Sequence, residues 1–579
     1  MRIKLAAIGL ALLYPLAHAD NIDNFINAEM QKRHISGMSV AIIDGGKIVK
    51  ASGYGVTEQG GKVAVTPSTL FQAGSISKSV SAIGALQLVE QGKLNLDEDV
   101  NATLVSWKVP ENEFTKDKKV TLRGLLSHSA GVTVHGFPGY AVDAPFPTLV
   151  QVLNGEKPAN NDPIVVAAEP GSKWDYSGGG YTIMQQAVID VTGKPFADFM
   201  QATVLTPLGM RDSTYAQPLP QNLAARAATG YLLNRSEVNG HWHTYAELAA
   251  AGLWTTPSDL ARFAIGVQQT LAGTGSPVIS TGMARQMAAV QKNNDGLGVF
   301  LEGAGKSLTF SHGGRNEGFD SMMIATAETG QGAVLMFNSN DNSRMRKRIM
   351  DAIAREYHWP SSAPHAASPT HDEIRIAPKT LAGYCGYYDM GNGQTFDLSC
   401  QHGRIVAMVG GLPDDEFLPV GDSHFTSTDG ALNIRFARDG NGKPNALVMI
   451  DGEHVNTMSR IGPVAGTLAH QRDPDPASTQ KLIAALQALA QGGDAIKNAL
   501  FLAANMKKMI GSEADHEFDN VHSLTYLTQQ KIDGSGFARF GSGVAKVLFY
   551  KINDSPSQKY MIAYLTSDGL LTDADIVDN

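Results

Sequence analysis

The order of apolar and polar positions in the N-terminal part of the chain predicts strands and helices within one domain. Residues 39–43 and 47–51 are apolar-rich segments that flank Asp-Gly-Gly, which predicts a β-hairpin. Residues 75–91 repeat apolar side chains at helical spacing, and a second helix is predicted over 258–270, with Ser258 as its N-cap. Further strands are predicted at 308–312, 321–326 and 332–338.

The pattern changes after residue 358. Prolines among Ser, Ala and His predict a linker over 359–375, and short alternating strands then predict a small β-barrel over 376–462. Residues 477–579 follow a second proline-rich break. They begin with a helical pattern over 480–509 and predict a small α+β domain, with strands at 544–550 and 559–565. The whole chain is therefore predicted to be α+β, with its first domain over 20–358.

The first 19 residues have the pattern of a secretory signal. Arg2 and Lys4 precede a short apolar run, and Ala-His-Ala at 17–19 is a cleavage pattern that makes Asp20 the first mature residue. The alternative is an uncleaved membrane anchor, for which the run is short, since a span needs about 20 residues. The signal predicts a secreted or periplasmic protein with no stable membrane span after cleavage.

Length and charge narrow the function classes. A chain of 579 residues is too long for one hydrophobic core, which agrees with several domains. The net charge is −9 and there is no long basic run, so nucleic acid is excluded as a partner. Only two cysteines are present, which excludes a cysteine-rich scaffold.

Cys385 and Cys400 are candidates for a disulfide. Asn392-Gly393 is a two-residue hairpin signal, and pairing outward from it places 387 opposite 398 and Cys385 directly opposite Cys400. Directly opposed residues have Cα atoms within disulfide range. Two buried free thiols are the alternative, because a bulge would change this register.

Ser75 and Lys78 form the candidate chemical centre. On a helix, positions i and i+3 share a face, so the lysine would lie beside the serine hydroxyl and activate it as a nucleophile. A lysine acts as a base only where burial or a neighbouring charge lowers its pKa. Ser478 and Lys481 repeat the spacing beside a proline-rich segment, and we interpret this second pair as chance.

Further motifs follow Ser75 in a fixed order. They are Leu-Leu-Ser-His-Ser-Ala-Gly at 125–131, Tyr-Ser-Gly-Gly-Gly-Tyr at 176–181, Pro-Leu-Gly-Met at 207–210, Ala-Gly-Leu-Trp at 251–254 and His-Gly-Gly at 312–314. Over roughly residues 22–356 the combination resembles class C β-lactamases, serine D-peptidases and related esterases. The resemblance implies a β-lactamase/transpeptidase-like fold, an antiparallel sheet with helices.

The resemblance also implies roles for single residues. Ser75 would be acylated, while Lys78 and Tyr176 would share its proton. His312 would orient or stabilise the substrate from the third motif. The substrate would lie against four further positions, with the backbone N–H groups of Ser75 and Arg315 as the oxyanion hole. These four positions are Gly178, Gly313, Gly314 and Arg315. No cofactor is needed for this chemistry.

One departure from the family pattern bears on the substrate. The second motif of the family usually ends in asparagine, and Gly178 stands at that position here. This shifts the expectation from β-lactams and D-peptides toward esters or atypical amides. A β-lactamase or D-amino-acid-specific peptidase is the alternative enzyme, and a non-catalytic binding protein on the same fold is the alternative of another class.

The remaining motifs carry less chemistry. We interpret His128 as a structural residue that ties a turn, and His241 and His243 lack the carboxylates or cysteines that would complete a metal site. No metal is therefore expected. The β domain resembles the lipocalin-like barrels of some D-aminopeptidases, in which such a domain shapes the site or mediates assembly. This leaves oligomerisation through the C-terminal domains open, with a small molecule or peptide as substrate.

Overall fold

The computed structural model contains two compact units, residues 1–364 and 365–579, each of which is described by itself. Residues 19–578 are described except for thirteen short segments. These segments are 233–234, 276–277, 341–342, 361–373, 391–394, 402, 410–411, 429–431, 452–453, 511–517, 533–537, 540–541 and 556–557. Residues 1–18 of the predicted signal, most of the predicted linker and the Asn392-Gly393 turn lie outside the described residues.

A six-stranded antiparallel sheet organises the first unit, with strand order β2-β1-β8-β7-β6-β5. The predicted hairpin and the three predicted strands are all present in it. The strands of this unit are β1 Gly37–Asp44, β2 Lys47–Gly55, β3 Phe71–Gln72, β4 Trp254–Thr255, β5 Phe300–Glu302, β6 Thr309–Asn316, β7 Phe319–Thr326 and β8 Gly332–Phe337, with β3 and β4 forming a separate pair.

Helices cover both faces of this sheet, which makes a three-layer unit. Side chains alternate along β1, so that Met38, Val40 and Ile42 pack with the terminal helices while Ala41 and Ile43 face the main core. The helices are α1 Ala19–Arg33, α2 Ile76–Glu90, α3 Leu122–Leu126, α4 Leu149–Asn154, α5 Gly178–Thr192, α6 Phe196–Met200, α7 Gln221–Ala224, α8 Leu248–Ala251, α9 Pro257–Leu271, α10 Thr281–Met287 and α11 Ser343–Glu356.

Helix α9 begins earlier than the sequence predicted. Thr256, not Ser258, is the N-cap: its backbone is extended and its hydroxyl accepts the Asp259 N–H. Pro257 occupies the first helical position, where the missing N–H of proline costs no hydrogen bond. The N-cap prediction at Ser258 is therefore wrong by two residues.

A closed eight-stranded antiparallel barrel begins the second unit, as predicted for residues 376–462. Its strands are β9 Gly386–Asp389, β10 Thr395–Gln401, β11 Arg404–Val409, β12 Leu412–Gly421, β13 His424–Ser427, β14 Asn433–Arg438, β15 Pro444–Asp451 and β16 His454–Gly462, preceded by helix α12 Pro378–Tyr384. Aromatic side chains such as Tyr384, Phe425 and Phe436 fill the interior. The barrel is thus a packed core.

Cys385 and Cys400 form a disulfide with a Cα–Cα distance of 5.8 Å. The predicted register is wrong by one residue, because Leu398 pairs with Gly386 and not with Tyr387. Cys385 lies between α12 and β9, while Cys400 lies on β10. The bond therefore ties the end of a helix to a strand and does not join two directly opposed strand positions.

A four-stranded sheet with order β17-β20-β21-β22 completes the second unit. The segment predicted to be helical over 480–509 forms three helices, and Gly492 separates the first two, since glycine is a poor helix former. The elements are α13 Pro476–Gln491, α14 Gly493–Asn498, α15 Ala504–Ile510, β17 Leu524–Lys531, β18 Ala538–Arg539, β19 Ser542–Gly543, β20 Lys546–Ile552, β21 Lys559–Leu565 and β22 Leu571–Asp578.

The barrel and this last sheet share a hydrophobic cluster. Tyr387 and Ile461 of the barrel pack with Phe549 and Tyr564 of the sheet.

The fold-class prediction of α+β with a β-lactamase-like domain, a barrel and a further sheet is confirmed. Every helix in the described part of the chain is too short or too polar to span a bilayer.

Candidate active site

Ser75 stands at the N-terminus of α2, directly after a tight turn at Gly74. From 70 to 86 every residue is buried except Ser75, so the hydroxyl alone reaches the surface of this segment. Gly74 has a φ of +52°, and a Cβ there would collide with the backbone N of Arg315. Glycine at 74 therefore lets the N-terminus of α2 approach β6 closely.

Lys78 is buried beneath Ser75, with only 2% of its surface exposed. Its Nζ lies 2.9 Å from Ser75 Oγ and donates a hydrogen bond of 2.8 Å to the Ala250 carbonyl. No carboxylate within the described residues forms an ion pair with it. Burial lowers the pKa of Lys78 to about 7, so the neutral amine is well populated near neutral pH.

Tyr176 lies on the turn before α5 and faces the same lysine. Lys78 Nζ is 5.1 Å from the centre of the phenol ring. Burial raises the pKa of Tyr176, the negative charge of Asp295 adds to the rise, and a hydrogen bond with Ser75 partly offsets it. The phenol therefore keeps its proton near neutral pH, and Lys78 is the better base of the two.

His128 holds the Tyr176 turn on both sides. The His128 carbonyl accepts the Asp175 N–H at 2.8 Å, and its Nδ1 accepts the Ser177 N–H at 3.1 Å. Its ring lies 4.2 Å from the ring of Tyr176, and burial keeps the pKa of His128 well below its ordinary value. His128 is neutral, and its Nδ1 can act as the acceptor that fixes Tyr176.

We expect His128→Gly to lower kcat/KM about a hundred-fold, since the Ser177 N–H loses its acceptor and Tyr176 moves. Glycine tolerates the φ of +54° at this position, so backbone strain is not introduced. His128→Asn offers an oxygen near the Nδ1 position and should retain activity within about ten-fold. Ester hydrolysis and the unfolding temperature of both variants check this. Equal losses in the two variants would contradict the positioning role.

Strand β6 forms the opposite side of the site. Asn316 pairs with Phe319 across a two-residue turn, and a turn of this kind closes on a hydrogen-bonded pair. Because such pairs alternate, the backbone groups of Gly313 and Arg315 point away from β7. Strand β5 pairs with β6 only at residues 309–311, so it does not cover this edge beside Ser75.

His312 lies on β6 next to Lys78 and Tyr176. Burial and the positive charge of Lys78 lower the pKa of His312 to about 3, so the imidazole is neutral. Its Nδ1 is 2.5 Å from the Gly313 carbonyl, and its ring centre is 6.3 Å from that of Tyr176. A neutral imidazole donates one hydrogen bond and accepts another, but it supplies no charge to a substrate.

These groups meet in a cleft of about 490 Å³. The predicted residues among its lining are Ser75, Lys78, Tyr176, His312, Gly313, Gly314 and Arg315. Gly178 does not line it, which corrects the expectation for that residue. A Cβ at Gly178 would lie 3.0 Å from the Phe137 ring and 3.1 Å from the His135 carbonyl, so this loop separates it from the cleft.

Several lining residues were missed from the sequence. His135, Phe137 and Phe300 add aromatic surface, while Arg346 forms an ion pair with Asp320 at 2.5 Å. None of them stands in a recognisable motif, because they reach the cleft from one loop at 135–137, from β5 and from α11. The signal available in the sequence for His135 and Phe137 was that they follow the motif at 125–131 within a few residues.

Glu247 directly precedes α8, the helix that carries the Ala250 carbonyl. It is fully buried; Tyr140 donates to one carboxylate oxygen at 3.2 Å, and the other oxygen has no partner among the described residues. Burial raises the pKa of Glu247 from 4.5 to about 7. The ionised form is therefore destabilising in the folded protein.

We expect Glu247→Gln to stabilise the protein more at pH 8 than at pH 5. The pKa of the Glu247 carboxyl is 4.5 in the unfolded chain and about 7 in the folded protein. Between these two pH values the unfolded chain releases the proton more readily, so the free energy of unfolding of the wild type falls as the pH rises. The gain in the free energy of unfolding should be about 2 kcal/mol larger at pH 8. Urea unfolding at both pH values measures this, and a gain independent of pH would refute it.

The other candidate residues from the sequence stay apart from this cleft. Ser478 donates to its N-cap residue Asp475 at 2.6 Å, and Lys481 is exposed. His241 contacts Glu237, whereas His243 contacts the Pro138 carbonyl. No group of three or more potential metal-ligating side chains occurs in the part of the chain that the structure describes.

Comparison with known proteins gives the family. The sequence model described as Beta-lactamase matches residues 22–356, more than half of the chain. The chain belongs to the beta-lactamase family. This match covers the motifs around Ser75, Tyr176 and His312, and it gives the first unit the fold of serine hydrolases.

Two relatives and one solved structure show sequence similarity of about a quarter of the residues or less. PbpX of Bacillus subtilis is 24% identical over 54% of this chain and 73% of its own length. Protein flp of Staphylococcus aureus is 25% identical over 41% of this chain, and the match spans about half of that relative, 45%. The octameric penicillin-binding protein homologue from Pyrococcus abyssi is 19% identical, with a TM-score of 0.51 over 76% of this chain and 99% of its own. That structural likeness concerns the fold alone.

Proposed function

We propose that this protein is a serine hydrolase that cleaves an ester or amide bond through an acyl-enzyme on Ser75. The observation that carries the proposal is the Lys78 amine, which is buried without a counter-ion among the described residues and lies 2.9 Å from Ser75 Oγ. A lysine with a pKa of about 7 is a base at neutral pH, which is what a serine nucleophile requires.

The reaction would proceed in two acyl-transfer steps. Ser75 Oγ attacks the carbonyl carbon while its proton passes to Lys78 Nζ. The Tyr176 hydroxyl gives its proton to the leaving group and regains one from Lys78. Water then attacks the acyl-enzyme carbonyl and loses its proton to the same pair, which returns a proton to Ser75 Oγ as the bond to the acyl carbon breaks and the acid leaves.

The tetrahedral oxyanion would lie between two backbone N–H groups. The Ser75 N–H points out of the first turn of α2 and has no hydrogen-bond partner among the described residues. The Arg315 N–H lies on the β6 edge beside Gly74. Two such donors stabilise negative charge that develops on the carbonyl oxygen.

Export and assembly belong to the proposal as well. The N-terminal signal supports a secreted or periplasmic location for the mature chain. The Pyrococcus homologue is described as octameric, which supports oligomerisation here, with the C-terminal barrel and sheet as its means. A β-lactamase or D-peptidase is the alternative activity on the same residues.

A side-by-side assay tests the proposal and its alternatives. The mature protein is given a p-nitrophenyl ester, nitrocefin and a D-alanyl p-nitroanilide, with Ser75→Ala as the baseline. Ester hydrolysis above this baseline is the expected result. Faster turnover of nitrocefin or the anilide would favour the β-lactamase or peptidase alternative. Turnover of none of them would favour the binding protein.

A further inference from the structure

We propose that the loop residues 135–137 form the wall that selects the acyl group of the substrate, and that this wall favours a compact apolar acyl group over one that carries an amide. The inference rests on the proposed function, because it assigns a specificity to the acyl-enzyme at Ser75. It concerns the place where Gly178 replaces the asparagine of the second motif.

The loop fills the space that a side chain at 178 would need. The Phe137 ring and the His135 carbonyl lie 3.0 and 3.1 Å from the Cβ position of Gly178. An asparagine amide therefore cannot extend from this position into the cleft. Phe137 and His135 themselves line the cleft instead.

The first turn of α5 fixes the loop in place. The Gly178 and Gly179 N–H groups donate to the carbonyls of His135 and Val134, each at 3.0 Å, and Ser177 Oγ donates to the Thr133 carbonyl at 2.9 Å. Val134 has a φ of +66°, which a β-branched residue adopts only when its surroundings enforce it. The wall is therefore preformed before substrate binds.

The surface that the wall presents is aromatic. The His135 ring lies 4.8 Å from the Tyr176 ring, and Phe300 lies 6.4 Å from Tyr176 and also lines the cleft. The ring of Phe137 offers no hydrogen bond to an amide. An acyl chain that packs on the Phe137 ring loses water without gaining a polar partner from that ring, which penalises an amide there and favours methylenes.

Two p-nitrophenyl esters with the same leaving group test this selectivity. The pentanoate and the N-acetylglycinate differ by two methylenes in place of an amide, and each kcat/KM is divided by the spontaneous hydrolysis rate of that ester. We expect the wild type to favour the pentanoate at least about ten-fold. Equal rates, or a preference for the N-acetylglycinate, would overturn the proposal.

Variants locate the selectivity. Phe137→Ala should lower kcat/KM for the pentanoate ester about ten-fold, a loss at least about five-fold larger than its loss on the acetate ester. Phe146→Ala, an aromatic outside the cleft, is the matched control and should change neither rate. Equal losses on the pentanoate and the acetate in Phe137→Ala would overturn the assignment of the wall, even if the wild-type protein prefers the pentanoate to the N-acetylglycinate.

Gly178→Asn provides an independent check. We expect this variant to have a lower kcat/KM for both the pentanoate and the N-acetylglycinate, because the new side chain collides with Phe137 and the His135 carbonyl. A variant that keeps the pentanoate rate and gains on the N-acetylglycinate would contradict the proposal. Failure of the proposed function is distinguishable, since neither ester would then be hydrolysed faster by the wild type than by Ser75→Ala.

Discussion

Replacing Ser75 with alanine is expected to lower kcat/KM for an activated ester by at least about a thousand-fold. The methyl group of alanine cannot form the acyl-enzyme, and Lys78 and Tyr176 then have no hydroxyl to activate. Residual turnover would come only from the oxyanion hole and from substrate binding. Initial rates of p-nitrophenolate release measure the loss.

The matched control for this prediction is Ser478→Ala, which removes the serine of the second Ser-x-x-Lys spacing. Its hydroxyl already donates to Asp475 at an exposed helix start, so wild-type activity is expected. Retained activity in Ser75→Ala, or lost activity in Ser478→Ala, would contradict the assignment of Ser75 as the nucleophile.

The second large effect is expected at Lys78. Lys78→Met fills the buried space without a base, and Lys78→Arg keeps a cation that cannot lose its proton. We expect both variants to lose about a thousand-fold in kcat/KM, because the proposed role is proton transfer. Substantial activity in Lys78→Arg alone would instead indicate that only the positive charge matters.

The pH profile of the wild type follows from the same residue. Because burial lowers the pKa of Lys78 to about 7, the neutral amine is absent at pH 5 and dominant at pH 8. Esterase kcat/KM should rise with pH through a midpoint near 7. A lysine with its ordinary pKa would place that rise near 10, and such a profile would contradict the assignment.

Local patterns explain why much of the site could be predicted. The separation of Ser75 and Lys78 is a helix i to i+3 spacing, and the structure places their side chains 2.9 Å apart. The strand that carries His312 was recognisable because Leu308 and Phe310 alternate with the polar residues Thr309 and Ser311 at its start. Each of these signals lies within a few residues of chain.

The features that could not be predicted depend on contacts between distant segments. Phe137 reaches Gly178 only through the folding of a loop with Val134 at positive φ. A single-residue difference in register also displaced Cys385 from direct opposition to Cys400. Tertiary packing decided the contact of Phe137 with Gly178, since these two residues share no local pattern. For the cysteines, the local hairpin signal predicted the pairing of β9 with β10 but not its register.

Covalent labelling of the mature protein tests the central claim most directly. A serine-reactive fluorophosphonate is added at pH 8, and the modified peptide is found by mass spectrometry after proteolysis. We predict one added phosphonyl group, on the peptide that contains Ser75, with labelling absent in Ser75→Ala and slow at pH 5. No labelling of wild-type Ser75, or a label on Ser478, would contradict an acyl-enzyme mechanism at this site.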